Sequence, residues 1–197
     1  MNQENIHYRL PLRLINSYTW AELIKPAKAI LPVIGVHANK NGEAWPRRKL
    51  ISELSGYSNL NFVDKGINDL IEKNLIIKKK EGRHNIYYLT DLAIWKPGRS
   101  YFPIYKMGMI LSRRWADLTP SEKSIYPVFG NKGSIKNPDV EGSEFHCAGD
   151  IYKIKKYCEW AGISQGGFDN ICIGLNHKNL VEFEEEGSVR YWVYVPQ

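Results

Sequence analysis

The chain has 197 residues, 43 % apolar and 24 % charged, with a formal net charge of +6. At that length it is one large domain or two small ones, and the mix excludes a disordered, collagen-like or coiled-coil chain as the leading expectation. The longest apolar run, Ala29 to Val36, falls well short of a membrane span.

The first residues, Met-Asn-Gln-Glu-Asn, contain no basic segment leading into an apolar one, and Cys147, Cys158 and Cys172 form no C-x-x-C pair. The expected setting is a reducing cytoplasm with no disulfide framework. Charge is uneven. Residues 1–99 hold 16 Lys/Arg against 9 Asp/Glu, a net +7, and residues 100–197 hold 11 against 12, a net −1. A basic half beside a near-neutral half points to a polyanion as partner of the first.

In chain order, Tyr8 to Ile15 reads as an extended lead-in. A helix is predicted over Lys25 to His37. Pro26 suits its first turn, whereas Pro32 should kink or shorten it. Asn39-Lys40-Asn41-Gly42 is turn chemistry. A second helix spans about Pro46 to Leu54 and stops at Gly56. Ser58 sits where a third helix would be capped, and Val63, Ile67, Leu70 and Ile71 give that helix a buried stripe. Leu75 to Lys79 and Asn85 to Leu89 then form a hairpin about Gly82. Thr90 to Arg99 connects onward.

The layout then returns. Trp20-Ala21-Glu22-Leu23 reappears as Trp115-Ala116-Asp117-Leu118, and Lys28 to Gly35 as Lys123 to Gly130, both 95 positions on. Gly56-Tyr57-Ser58 matches Gly162-Ile163-Ser164, and Lys73-Asn74-Leu75-Ile76 matches Lys178-Asn179-Leu180-Val181, 105 to 106 positions on. The second copy therefore has about ten extra residues between its first two helices. Its elements read as a lead-in from Phe102 to Leu111 and helices over Pro120 to Phe129 and Tyr152 to Trp160. A third helix follows Ser164 with the stripe Phe168, Ile171, Cys172 and Leu175, then a hairpin of Leu180 to Glu184 with Arg190 to Val195. Two homologous domains are expected, residues 1–90 and 101–197, joined by a linker over 91–100.

Helix, helix, tight turn, helix, hairpin resembles the winged form of the helix-turn-helix. The segments carrying the resemblance are Lys49-Leu50-Ile51-Ser52-Glu53-Leu54-Ser55-Gly56-Tyr57-Ser58, Ile67 with Leu70, and Lys73-Asn74-Leu75-Ile76. Upstream, His37-Ala38-Asn39-Lys40-Asn41-Gly42-Glu43-Ala44-Trp45-Pro46 resembles the helix-turn-helix domains of plasmid and phage replication proteins. The resemblance implies a mainly α fold with small β-hairpin wings (α+β), two winged-helix domains in tandem. It also implies a third helix in the major groove and a wing on phosphate or minor groove. In architecture, the tandem resembles plasmid replication initiators, which implies one domain for DNA and the other for DNA or dimerisation.

In the first copy the outward face of the third helix carries Asn61, Asp64, Lys65, Asn68 and Glu72. Asn61, Lys65 and Asn68 are candidates for base edges, since Asn pairs with adenine bidentately and Lys reaches guanine or phosphate. Asn59, just ahead of them, joins the candidate DNA contacts. Lys78, Lys79, Lys80 and Arg83 concentrate cations at the wing, and Arg47, Arg48 and Lys49 do so at the start of the second helix, each suited to a phosphate. The second copy reverses these signals. Its wing reads Glu184-Glu185-Glu186, and Ile173 stands where the first copy has Asn68. Ile173, Glu184 and Glu185 are therefore candidate interaction residues of a domain serving dimerisation or another partner.

There is no P-loop, no G-x-G-x-x-G, no H-E-x-x-H and no zinc-type pairing of Cys and His. No catalytic residue, metal or cofactor is expected, and neither a membrane nor a small-molecule partner. The expected function is sequence-specific binding of double-stranded DNA in transcription regulation or plasmid or phage replication initiation, with a homodimer through the C-terminal domain. The alternative is a protein-interaction adaptor of a chromosome- or plasmid-maintenance complex.

Overall fold

A computed structural model describes residues 6–130, 144–148, 151–186 and 188–196, and at 144–148, 151–153, 183–186 and 188–192 the backbone alone. The first half runs β1 (His7–Pro11), α1 (Leu12–Asn16), α2 (Thr19–Glu22), α3 (Lys25–Val36), β2 (Glu43–Ala44), α4 (Arg48–Ser55), α5 (Leu60–Glu72), β3 (Ile76–Glu81) and β4 (His84–Leu89). The lead-in predicted to stay extended to Ile15 leaves the strand at Pro11 and turns into α1.

α3 is buried from Ala27 to Val36, which explains an interior made almost wholly of Ala, Ile, Leu, Val and Gly: it has no face for water. It continues through Pro32 for another turn instead of stopping there. The ring of Tyr8 lies on Gly35, where a Cβ would come within 2.3 Å of it, so only glycine leaves room. Beyond α3, the Asn39 side-chain oxygen accepts from the backbone N–H groups of Asn41 and Glu43, an Asx turn that feeds the chain into β2.

The second half runs β5 (Tyr101–Tyr105), a π-helical turn (Lys106–Leu111), α6 (Pro120–Phe129), β6 (Glu144–Ala148), α7 (Ile151–Ala161), a 3₁₀ turn (Gln165–Gly167), α8 (Phe168–His177), β7 (Val181–Glu186) and β8 (Ser188–Tyr194). The lead-in predicted over Phe102 to Leu111 is thus strand only to Tyr105. From α3 and α6 onward the two halves share one element order. Their antiparallel sheets share one strand order, β2-β4-β3 and β6-β8-β7. Backbone conformation repeats too. Tyr18 and Arg113 have φ of 63° and 66°, and Asn74 and Asn179 both have φ of 54°. Asn74 and Asn179 end α5 and α8, where asparagine tolerates the left-handed conformation that closes a helix. The extra residues of the second copy fall largely at 131–143, outside the described residues.

The halves meet as near equivalents. β1 pairs antiparallel with β5, Arg9 opposite Pro103, and α3 packs against α6. The Trp20 indole N–H donates to the Ser124 carbonyl at 2.7 Å, and the Trp115 N–H to the Ala29 carbonyl at 2.9 Å. Those two bonds exchange places under the same 95-residue shift that relates the sequences. Lys28 and Lys123, another such pair, are both buried. The Lys28 ammonium donates to Ala21 O at 3.2 Å and to Ala161 O at 2.7 Å, the latter at the carbonyl end of α7, where a cation is favoured. Lys123 donates to Ala116 O at 3.0 Å and to Leu118 O. The buried side chains of both halves form one cluster.

The connection over 91–100 is held down as well. The Arg13 guanidinium donates to the carbonyls of Asp91, Leu92 and Ile94, and the Tyr8 hydroxyl to that of Ala93. Arg9 lies 4.4 Å from the centre of the Trp95 ring.

Candidate nucleic-acid interface

α5 is placed by two contacts with the rest of the first half. On one side Val63, Gly66, Ile67 and Leu70 are buried against α3. Gly66 permits the close approach, because a Cβ there would lie 2.6 Å from Ile30 Cδ1 and 2.9 Å from the Pro26 carbonyl carbon. Ile71, expected in that stripe, is 39 % exposed; it falls outside the arc that α3 covers. On the other side the turn from α4 is pinned. Gly56 takes φ 80°, Tyr57 N–H donates to Ser52 O, and the Ser52 hydroxyl donates back to Tyr57 O at 2.6 Å.

The cap of α5 is Asn59 and not Ser58: the Asn59 side-chain oxygen accepts from Asn61 N–H at 2.9 Å. The turn of the first copy is one residue longer than that of the second, which moves the capping position on by one. α8, by contrast, is preceded by the 3₁₀ turn, and Ser164 before it makes no side-chain cap bond.

Around α5 the predicted cations fall in two groups. Arg47, Arg48 and Lys49 lie exposed at the start of α4, with Arg47 as its N-cap residue. Arg48 is already engaged within the protein: it forms an ion pair with Asp64 of α5 and donates to Leu60 O at 3.3 Å. It therefore ties α4 to α5, and Asp64 neutralises part of its charge. The second group is the wing of β3 and β4, with Lys78, Lys79, Lys80 and Arg83 all exposed. Register places Lys78 opposite Tyr87 and Lys80 opposite Asn85 on one face, with Lys79 opposite Ile86 on the other. The Lys79 ammonium lies 5.2 Å from the centre of the Tyr88 ring, a cation–π contact that steadies it. Gly82, at φ 57°, takes the first of the two turn positions, as a hairpin with glycine leading requires.

Asn59, the cap, and Asn61, Lys65 and Asn68 of α5 are exposed as well. Two residues that the sequence reading passed over stand among them. Leu60 and Phe62 flank Asn61 and are 38 % and 44 % exposed. The Phe62 ring lies 5.9 Å from that of Tyr57, and the Lys65 ammonium lies 5.8 Å from the Phe62 ring centre. The signal was present for Phe62, which lies off the i, i+4, i+7 stripe, whereas Leu60, seven residues before Ile67, lies on it and is exposed at the start of the helix.

In the second half, Ile173 of α8 is 53 % exposed, and a Cβ at Gly166 or Gly167 would meet open space. The side chains of Glu184 and Glu185 lie outside the described residues, although their strand, β7, pairs with β8. Cys158 and Cys172 are buried thiols, and Trp20, Trp115 and Tyr87 are buried ring positions. Among the described residues no group of three His, Cys, Asp or Glu is placed to hold a metal ion, and no helix is long and apolar enough to cross a membrane.

Helices α4 and α5 joined by a pinned turn, resting on α3 and followed by a small antiparallel sheet, make a helix-turn-helix domain, a fold that serves DNA binding. Residues 21–76 match the family described as a helix-turn-helix domain. No curated protein and no solved structure matches the chain.

Proposed function

We propose that the protein is a cytoplasmic, non-enzymatic, sequence-specific binder of double-stranded DNA, built of two winged helices in tandem. It acts in transcription regulation or in replication initiation on a plasmid or phage. The observation that carries the reading is the set of exposed cations on the elements packed against α5. Arg47 and Lys49 are exposed at the start of α4, and Lys78, Lys79, Lys80 and Arg83 are exposed on the wing. In this reading α5 enters the major groove, with Asn61, Lys65 and Asn68 at base edges, while the two cationic groups hold phosphates on either side. Arg48 acts mainly by holding α5 to α4.

The second half supports a different role for itself. Ile173 occupies the position equivalent to Asn68, and Glu184 and Glu185 carry a charge that phosphate repels. It serves as a contact surface, for a second copy or another protein, while the first half grips DNA.

A fluorescence anisotropy titration with random duplex DNA at two salt concentrations tests this. Wild type is expected to bind, and to weaken steeply as salt rises. The triple variant Lys78→Ala, Lys79→Ala, Lys80→Ala is expected to bind more weakly, with a salt slope shallower by about 3, one counterion per lost phosphate contact. Absence of duplex binding by wild type at low salt would sink the proposal.

A further inference from the structure

We infer that Leu60 and Phe62 read thymine through its C5-methyl group, so that the protein selects its site by apolar as well as polar contacts. The inference rests on the proposal that α5 docks in the major groove. Both residues belong to the first turn of α5, the part of a recognition helix that reaches base edges. Both are more than a third exposed. The start of α5 and the Phe62 ring are held in place. Arg48 donates to the Leu60 carbonyl and pairs with Asp64, and the Phe62 ring rests against Tyr57. Lys65 sits over the outer side of the Phe62 ring, so a cation and an aromatic face are presented together.

Between Leu60 and Phe62 stands Asn61, whose amide matches the adenine edge. The feature of the major groove that an aliphatic or aromatic side chain can recognise is the thymine methyl, and it lies on the same base pair, or the next, as the adenine that an Asn reads. Charge complementarity points to duplex DNA as the occupant of this face, since the Lys65 ammonium lies over the Phe62 ring and Arg47 and Lys49 are exposed at the start of α4, the helix that Arg48 ties to α5.

The test separates this inference from the proposal beneath it. A site is selected from a random duplex library with wild-type protein. Anisotropy is then measured on that duplex with each thymine replaced in turn by deoxyuridine, which removes the methyl and leaves base pairing intact. At one or two positions wild type is expected to bind about fourfold more weakly, the effect of one buried methyl-sized group. Phe62→Ala or Leu60→Ala is expected to bind the methylated and unmethylated sites alike at the matching position. Wild type that binds the selected duplex in a salt-dependent way, yet is indifferent to every methyl or selects no invariant thymine, overturns the inference and leaves DNA binding standing. Sensitivity that survives in both variants overturns it as well. Failure of wild type to bind any duplex removes both readings. If Phe62→Ala abolishes self-association seen in wild type by light scattering while methyl sensitivity is unchanged, the patch is a protein contact and the inference falls.

Discussion

Gly56 and Gly162 each meet two demands at one residue. Both end a helix in the left-handed region, at φ 80° and 65°, and both lie against a carbonyl of the opposite half. A Cβ would approach within 2.3 Å of Ala116 O at the first and Ala21 O at the second. The first demand is legible in sequence, because glycine after a helical stripe is a stop signal. The second is not, because its partner is 60 residues away in one case and 141 in the other. The two demands can be separated by comparison with Gly82, which has φ 57° and open space around it. Gly82→Ala is expected to cost about 1 kcal/mol, the penalty of the left-handed region for a side chain. Gly56→Ala adds a backbone clash to that penalty and is expected to cost about 2 kcal/mol or more. Urea unfolding of the two variants against wild type gives the comparison.

At the scale of elements, the helices of the sequence reading are nearly those of the structure, because their burial follows a 3.6-residue period and their ends carry Pro, Gly and Asn. α6 runs over the predicted Pro120 to Phe129, and α3 ends one residue early. What misleads is competition between equally good local signals. Ser58 and Asn59 are both capping residues, and only the path of the turn decides between them. Asn59 wins because its side chain reaches Asn61 N–H. Asn59→Ala is therefore expected to destabilise the protein by about 1 kcal/mol, and Ser58→Ala to change it by only a few tenths. Thermal or urea unfolding of the pair measures this, and equal effects would return the cap to Ser58. The candidate site is legible to the same degree. Exposed lysines on a hairpin declare themselves, since in β3 only its first residue, Ile76, is buried. The pairing of Arg48 with Asp64, 16 residues apart, depends on how α4 crosses α5 and is invisible to spacing alone.

For the whole molecule the deciding feature is the shared interior. The sequence repeat leads to the expectation of two copies, and the two halves share one element order and one strand order. It does not foretell that β1 would pair with β5, or that Trp20 and Trp115 would each bond across, because a repeat says what is alike and nothing of what touches. Burial at this junction lowers the ammonium groups of Lys28 and Lys123 to pKa values of about 8 from an ordinary 10.5. Below about pH 8 both are charged whether the chain is folded or not, and the full cost of burying them is present. Between about 8 and 10 the unfolded chain holds more protons than the folded one, so stability rises with pH. Opposing this, burial pushes Cys158 and Cys172 up, the latter to about 12, and pushes Tyr8 and Tyr126 far up. Those groups favour unfolding once the free thiol and phenol begin to ionise, above about pH 9. The midpoint of urea unfolding is thus expected to rise from pH 7.5 to 9 in wild type, and to stay level or fall in Lys28→Met, Lys123→Met.

Joining two equivalent halves in one chain also changes what can be asked of them. In a dimer of identical subunits, altering a tryptophan at the two-fold contact alters both copies at once, and the energetic coupling between them is hidden inside a single number. Here Trp20 and Trp115 are encoded separately. Trp20→Phe, Trp115→Phe and the double variant close a double-mutant cycle across an axis of approximate symmetry, so the cooperativity of two near-identical bonds can be measured directly.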